Sequence, residues 1–160
     1  MRERLLHLLA KDSRLSVKDM AVMLDSTEEE IQKTLAEMEA DGVICGYPTL
    51  INWDNTEFEH VAALIEVKVS PERGRGFDKV AERIYQFEEV ESLYLMSGGF
   101  DLCCMVSDKS FEEIALFVAN RLSPLDGVMS TATHFILKKY KDHGSVMVNP
   151  TKDERMLVTP

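Results

Sequence analysis

Apolar residues recur at two different periods along this chain, and the change of period divides it. Near the start, Leu5, Leu6, Leu8 and Leu9 fall at helical spacing and predict a helix of two to three turns. Ser16, with Asp19 three residues on, reads as an N-cap opening a second helix with Val17, Met20, Ala21 and Leu24 on one face. After a tight connection at Asp25-Ser26, a third helix capped by Ser26 or Thr27 carries Ile31, Leu35 and Met38 as its buried stripe. Gly42 is the stop signal, a glycine just past the last turn followed by apolar Val43 and Ile44. A support helix and two helices joined by about four residues form the helix-turn-helix pattern. Behind it, Val43 to Tyr47 and Thr49 to Trp53 read as two short strands around Gly46 to Pro48, which predicts a wing.

From Asp54 to His60 the chain is polar and reads as a linker; then the period drops to two. Val61, Ala63, Ile65, Val67 and Val69 alternate with their neighbours as a strand, and Pro71 to Gly76 turns the chain. Phe77, Val80, Ala81 and Ile84 return to helical spacing. Strands are expected over Val90 to Ser97 and Leu102 to Ser107, a helix over Phe111 to Leu122, and a long last strand over Val128 to Tyr140. The order β-α-β-β-α-β is the ferredoxin-like, split-βαβ arrangement, a four-stranded antiparallel sheet with helices on one face. The fold class is therefore α+β: a winged helix-turn-helix over 1–54, a linker over 55–60, a ferredoxin-like domain over 61–141 and a polar tail over 142–160. Leu64 opposes Ile65 across the first strand, and Phe135, Ile136 and Leu137 make the last strand apolar on both sides. An uncovered apolar sheet face calls for a partner, most simply a second copy.

Composition narrows the chemistry. No apolar run approaches the roughly 20 residues that span a bilayer, and the start MRERLLHLLAKD does not read as a signal peptide. Three cysteines, an odd count without C-x-x-C spacing, fit a reduced cytoplasm. A net charge of -10 excludes wholesale, non-specific nucleic-acid binding. Residues 1–55 hold six Lys and Arg against eleven Asp and Glu, so neither half is a basic module. The four histidines are scattered without carboxylate or thiol partners at metal-ligand spacing. Cys103 and Cys104 point to opposite faces of a strand, and Gly74 and Gly76 lack a dinucleotide-loop context. No nucleophile stands beside a base, so neither enzyme activity nor a cofactor is expected.

Met96-Ser97-Gly98-Gly99-Phe100-Asp101 lies between two apolar runs and is the candidate ligand turn. Adjacent glycines let a small ligand approach the main chain, whose N–H groups suit a carboxylate, and Asp101 could hold an ammonium. Its plain alternative is a hairpin loop with an aspartate bonded to its own backbone.

Several stretches together resemble the leucine-responsive/asparagine-regulator (Lrp/AsnC) family: Ser13 to Ala21, Gly42 to Tyr47, Ser97 to Asp101 and Asp126 to Thr133. The likeness spans residues 2 to about 141. It implies a cytoplasmic transcription regulator whose C-terminal domain dimerises, often assembles into octamers, and binds an amino acid or similar effector near Gly98, Gly99 and Asp101, with Ser130, Thr131 and Thr133 close by. It also implies DNA contact through Thr27, Gln32 and Lys33 of the third helix, with flanking Arg14 and Lys18. That helix carries Glu28, Glu29, Glu30, Glu37 and Glu39 as well. The competing class is an effector-binding oligomeric module with weak or no direct DNA binding, and the acidic third helix is what separates the two.

Overall fold

A computed structural model describes residues 1–70 and 76–148. The turn expected over Pro71 to Gly76 falls largely outside the described residues, as do Gly74 and the chain after Val148. Contacts divide the chain into two compact units, Met1–Leu50 and a second beginning at Ile51.

The first unit is three helices, α1 (Arg2–Lys11), α2 (Val17–Leu24) and α3 (Glu28–Ala40). The starts of α2 and α3 are written locally. Ser16 Oγ accepts the Asp19 N–H at 3.0 Å, and Thr27 Oγ1 accepts the Glu30 N–H at 3.2 Å while Glu30 Oε2 accepts from the Thr27 N–H at 3.4 Å. That reciprocal pair satisfies two of the donors a helix start leaves open. Asp25, at φ 52°, turns the chain between α2 and α3, and Gly42, at φ 68°, ends α3 while the Val43 N–H bonds back to the Met38 carbonyl at 2.9 Å. Leu5, Met20, Leu24, Ile31 and Met38 meet in one buried cluster, each worth about 1.5–3 kcal/mol of apolar burial.

The expected wing strands are not there: among the described residues, 43–52 belong to no ladder, and Trp53–Asn55 curls into a single 3-10 turn. Gly46 and Pro48 interrupt the run, and Pro48 has no N–H to give a ladder.

The second unit is a four-stranded antiparallel sheet of β1 (Val61–Val69), β2 (Val90–Leu95), β3 (Leu102–Asp108) and β4 (Val128–Phe135), in the order β2-β3-β1-β4. Helices α4 (Asp78–Ile84) and α5 (Phe111–Phe117, prolonged by a π turn over Val118–Leu122) cover one face. Residues paired across antiparallel strands share a face, so Ile65 with Cys104 and Val67 with Leu102 point to the helices. There they pack on Val80, Ile84, Ile114 and Phe117 in a fully apolar core. The opposite face carries half-buried Leu64 and Met105 and exposed Tyr94 and Ala132, with His134 Nε2 3.3 Å from Glu66 Oε1.

Two strands end earlier than their apolar runs suggest. β2 stops at Leu95 and not Ser97, because the turn begins there. β4 stops at Phe135 and not Tyr140: after the Ile136 N–H bonds to the Ala62 carbonyl at 2.9 Å, only Val61 of β1 remains, and it is in register with Asp108 of β3. Phe135 also lies on the helix face, edge-on to Phe111 at 4.9 Å, so it belongs to the internal core and not to the uncovered one. Beyond it, where a loose polar tail is expected from Asp142, β5 (Lys141–Asp142) and β6 (Ser145–Val146) pair as a small hairpin turned by His143 and Gly144.

Candidate nucleic-acid interface and effector turn

The nucleic-acid candidates all lie in the first unit, and all five are exposed: Arg14 before α2, Lys18 on it, and Thr27, Gln32 and Lys33 at the start and along the face of α3. They differ in freedom. Thr27 Oγ1 is already the acceptor of the α3 cap, which leaves its hydroxyl hydrogen to donate. Gln32 and Lys33 project from the middle of α3, between the buried anchors Ile31 and Met38.

The three glutamates of the first turn are not equivalent either. Glu30 takes hydrogen bonds from the Ser26 hydroxyl at 2.6 Å and from the Thr27 N–H, and these two bonds lower its pKa from the ordinary 4.5. It is a structural carboxylate. Glu28 and Glu29 remain as exposed charge at the end of the helix. Farther along, Glu39 Oε1 accepts from the Tyr47 hydroxyl at 2.7 Å, which raises the Tyr47 pKa, and Arg2 pairs with Asp41 at 2.6 Å. Part of the acidity of this unit therefore holds the α3 end and the following segment together.

The glycine turn is in the second unit, where β2 passes to β3. Gly98 takes φ 148° while Gly99 does not need a positive φ, so the conformational demand falls on Gly98 and not on its neighbour. Asp101 is half-buried and held at three points. Its carbonyl accepts the Met96 N–H at 2.8 Å, its N–H reaches the Val67 carbonyl at 3.1 Å, and its Oδ2 accepts the Val69 N–H at 2.9 Å. The Val69 N–H lies on the β3 side of β1, just past the Val67–Leu102 pair where the β1–β3 register ends, so it has no ladder acceptor there and Asp101 supplies one. Asp101 thus answers a backbone donor 32 residues upstream, where a simple hairpin loop would have bonded it to its own neighbours.

The three β4 candidates do not converge on that turn in one chain. Thr131 pairs with Val67 and Thr133 with Ile65, which puts both on the helix face, whereas Ser130 pairs with Lys68 on the uncovered face. The Thr131 hydroxyl is 2.9 Å from that of Ser123, at the end of the π turn. β1 lies between β4 and the glycine turn, a separation of roughly two strand spacings, about 10 Å. None of the six effector candidates lines either of two clefts on this unit. One, of about 280 Å³, lies between α4 and the edge strand β2, walled by Phe77, Ala81, Tyr85, Leu93 and Leu95. The other, of about 40 Å³, lies among Asn52, Trp53, His60 and Ile136.

Both strand cysteines are buried, and burial pushes the Cys104 thiol up to about 12 and Cys103 upward as well. They are inert apolar side chains. Among the described residues no group of three or more His, Cys, Asp or Glu is placed to hold a metal ion, and no helix is long and apolar enough to cross a membrane.

Comparison with known proteins agrees with this architecture. A family model described as the Lrp/AsnC ligand binding domain matches residues 62–146. The HTH-type transcriptional regulator YugG of Bacillus subtilis is 45% identical over 157 residues, covering 98% of this chain and 95% of its own. The HTH-type transcriptional regulator LrpA of Pyrococcus abyssi is 30% identical over 86% of this chain and 94% of its own. Among solved structures, the Neisseria meningitidis transcriptional regulator NMB0573, crystallised as an L-Met complex, superposes with a TM-score of 0.68 at 19% identity, over 88% of this chain and 90% of that one.

Proposed function

The chain belongs to the Lrp/AsnC family of HTH-type transcriptional regulators, and from that premise we propose that it binds DNA through the exposed face of α3 and responds to an amino acid held at the Gly98–Asp101 turn. The observation that carries the DNA half is the capped α2–α3 pair, which presents Gln32 and Lys33 to solvent on a helix fixed from behind by Ile31 and Met38. Gln can read adenine and Lys guanine in the major groove, while the exposed Arg14 and Lys18 would contact phosphates. The test is fluorescence anisotropy with a duplex from upstream of its own gene and a scrambled duplex. Preference for the first is expected, with a loss of about 1–3 kcal/mol for Gln32→Ala or Lys33→Ala. Equal affinity of parent and variants would remove α3 as the reading element.

For the effector, Asp101 Oδ2 is occupied by the Val69 N–H, so the ammonium falls to Oδ1, and the ligand carboxylate to the backbone of Gly98 and Gly99. The L-Met in the Neisseria relative makes an amino acid the first class to try. Asp101→Asn keeps an acceptor for Val69 and deletes the charge. The fold should survive while affinity falls about ten- to a hundredfold by calorimetry, the equivalent of removing a charge-assisted hydrogen bond of about 1.5–3 kcal/mol. Equal binding by the Asn variant would leave Asp101 as a turn residue only.

Assembly is part of the same reading. The uncovered sheet face, Leu137 at 89% exposure, and the ladder-free segment 43–52 all present surface that a second copy would cover, and a dimer or larger assembly in the cytoplasm follows. Because Phe135 is part of the internal core, Leu137→Asp is the clean probe. It should weaken association in sedimentation without lowering the melting temperature of the protomer; a parent that sediments as a monomer would end the assembly reading.

A further inference from the structure

The most concentrated positive charge on this acidic chain lies outside the helix-turn-helix, in the second unit. Lys138, Lys139 and Lys141 place three cations within four residues, with no acid among 136–141 and an aromatic, Tyr140, between them. No other four-residue stretch of the chain holds three Lys or Arg.

The structure fixes how they are displayed. Tyr140 leads directly into the β5–β6 hairpin, and the Met147 N–H bonds back to the Tyr140 carbonyl at 2.9 Å. Asn52 Nδ2 donates to the Met147 carbonyl at 2.6 Å and ties the hairpin to the start of the second unit. On that frame, the Lys138 ammonium lies 5.2 Å from the centre of the Tyr140 ring, which is itself 67% exposed. Lys139 is the member already balanced, 3.6 Å from Asp142, an acid that also meets His143 at 2.8 Å. Lys138 and Lys141 are exposed, and no described acid pairs with either.

We propose that Lys138 and Lys141, with Tyr140 between them, form a second nucleic-acid contact on the ligand-binding unit that grips the phosphate backbone without reading sequence. It rests on the DNA-binding reading above and supplies what that reading lacks. Two of the α3 glutamates stand as free charge where base edges would be read, so the recognition helix itself brings little net attraction for phosphates. A polyanion in turn needs ammonium groups free of acidic partners on a fixed surface, and the hairpin offers two. Tyr140 gives Lys138 a face to rest on and a hydroxyl to offer a phosphate oxygen.

The experiment uses the full-length chain, its own upstream duplex and a scrambled duplex of equal length, with affinity measured by anisotropy from 50 to 200 mM salt. In the double variant Lys138→Gln, Lys141→Gln the log–log salt slope should become shallower by about 1.8, which is about 0.9 for each phosphate no longer neutralised. The parent-to-variant affinity ratio should then change about tenfold across that salt range, equally on both duplexes. Lys138→Arg, Lys141→Arg should keep the parent slope. Far-UV circular dichroism and sedimentation of all three proteins guard against misfolding or failed assembly, and failure of the Gln variant alone to assemble would overturn the inference in favour of a protein–protein interface. A parent that binds DNA with a slope the Gln variant shares overturns the second contact while leaving α3 intact; a parent that binds neither duplex overturns the DNA reading itself. Binding of the parent to anionic vesicles of phosphatidylserine and phosphatidylcholine, abolished in the Gln variant while DNA binding is not, would reassign the surface to a membrane.

Discussion

The two units of this chain specify themselves in different ways. In the first, the starts of α2 and α3 are decided by residues within four positions of one another: Ser16 with Asp19, Ser26 and Thr27 with Glu30. In the second, the deciding contacts are remote. β1 meets β3 some 40 residues on and β4 some 70 residues on, and the glycine turn is anchored by a bond from the Val69 N–H to Asp101. Local specification tolerates an acidic, heavily charged surface, because the caps use some of that charge. Remote specification leans on an apolar core with no charged residue buried in it among the described positions.

The largest break in this comparison is a cavity on one side only. Ile65 is fully buried at the centre of the sheet, and Ile65→Ala should cost about 2–5 kcal/mol. Trp53, the single tryptophan, lies in the second unit and reports on it, whereas most helical residues lie in the first. Tryptophan fluorescence should therefore melt about 10 °C or more lower in the variant, with the helical signal of the first unit left behind. If both signals move together by the same amount, the two units unfold as one and the contrast between them has no thermodynamic content.

A smaller test ranks three glycines of the second unit. At Gly127, φ is 92° and an added Cβ would lie 2.7 Å from Val80 Cγ2, a side chain packed in the core. Gly127→Ala combines backbone strain with overpacking and should cost about 2–4 kcal/mol. Gly98→Ala meets nothing within 4 Å but keeps the strained φ of 148°, for about 1–3 kcal/mol. Gly99→Ala has neither problem and should be close to neutral. Denaturant midpoints in any other order would mean that the turn relaxes where the structure holds it rigid.

That ranking also marks where the sequence stops being legible. Gly98-Gly99 announces a turn, yet which glycine carries the positive φ depends on how β2 and β3 register around it. Thr131 and Thr133 are readable as sharing a face, but only the pairing with Val67 and Ile65 says that it is the helix face, with Ser130 on the other. The last strand's apolar run continues to Leu137, and its end is set by where β1 begins, 70 residues earlier. Residues 43–53 have strand composition, but a strand needs a ladder partner, and none of the described residues supplies one. Caps and periods, by contrast, are properties of a short window. The three N-terminal helices and the β-α-β-β-α-β order are accordingly visible in the sequence alone.

The finest test is on the local side, at the carboxylate of Glu30. Gln is an equally good partner in this capping arrangement, since its side-chain oxygen can also accept from the Thr27 N–H. At neutral pH, Glu30→Gln should therefore change the first unit little, and far less than Thr27→Ala, which removes the Glu30 N–H acceptor at a cost of about 1 kcal/mol. The difference between Glu and Gln lies in pH. The Ser26 and Thr27 hydrogen bonds depress the folded-state pKa of Glu30 below 4.5, so the charged form is favoured by folding. Its contribution is present above the unfolded-state pKa and is lost as pH falls through the lower folded-state value. Melting curves of the helical signal between pH 7 and pH 3 should show the parent losing more stability than Glu30→Gln below about 4.5, with the two converging above it. Melting by Trp53 fluorescence, which reports the second unit, should show no such difference. Parallel acid losses in parent and variant would mean that Glu30 holds the cap equally well protonated, and that the acidity at the head of α3 serves something other than the helix.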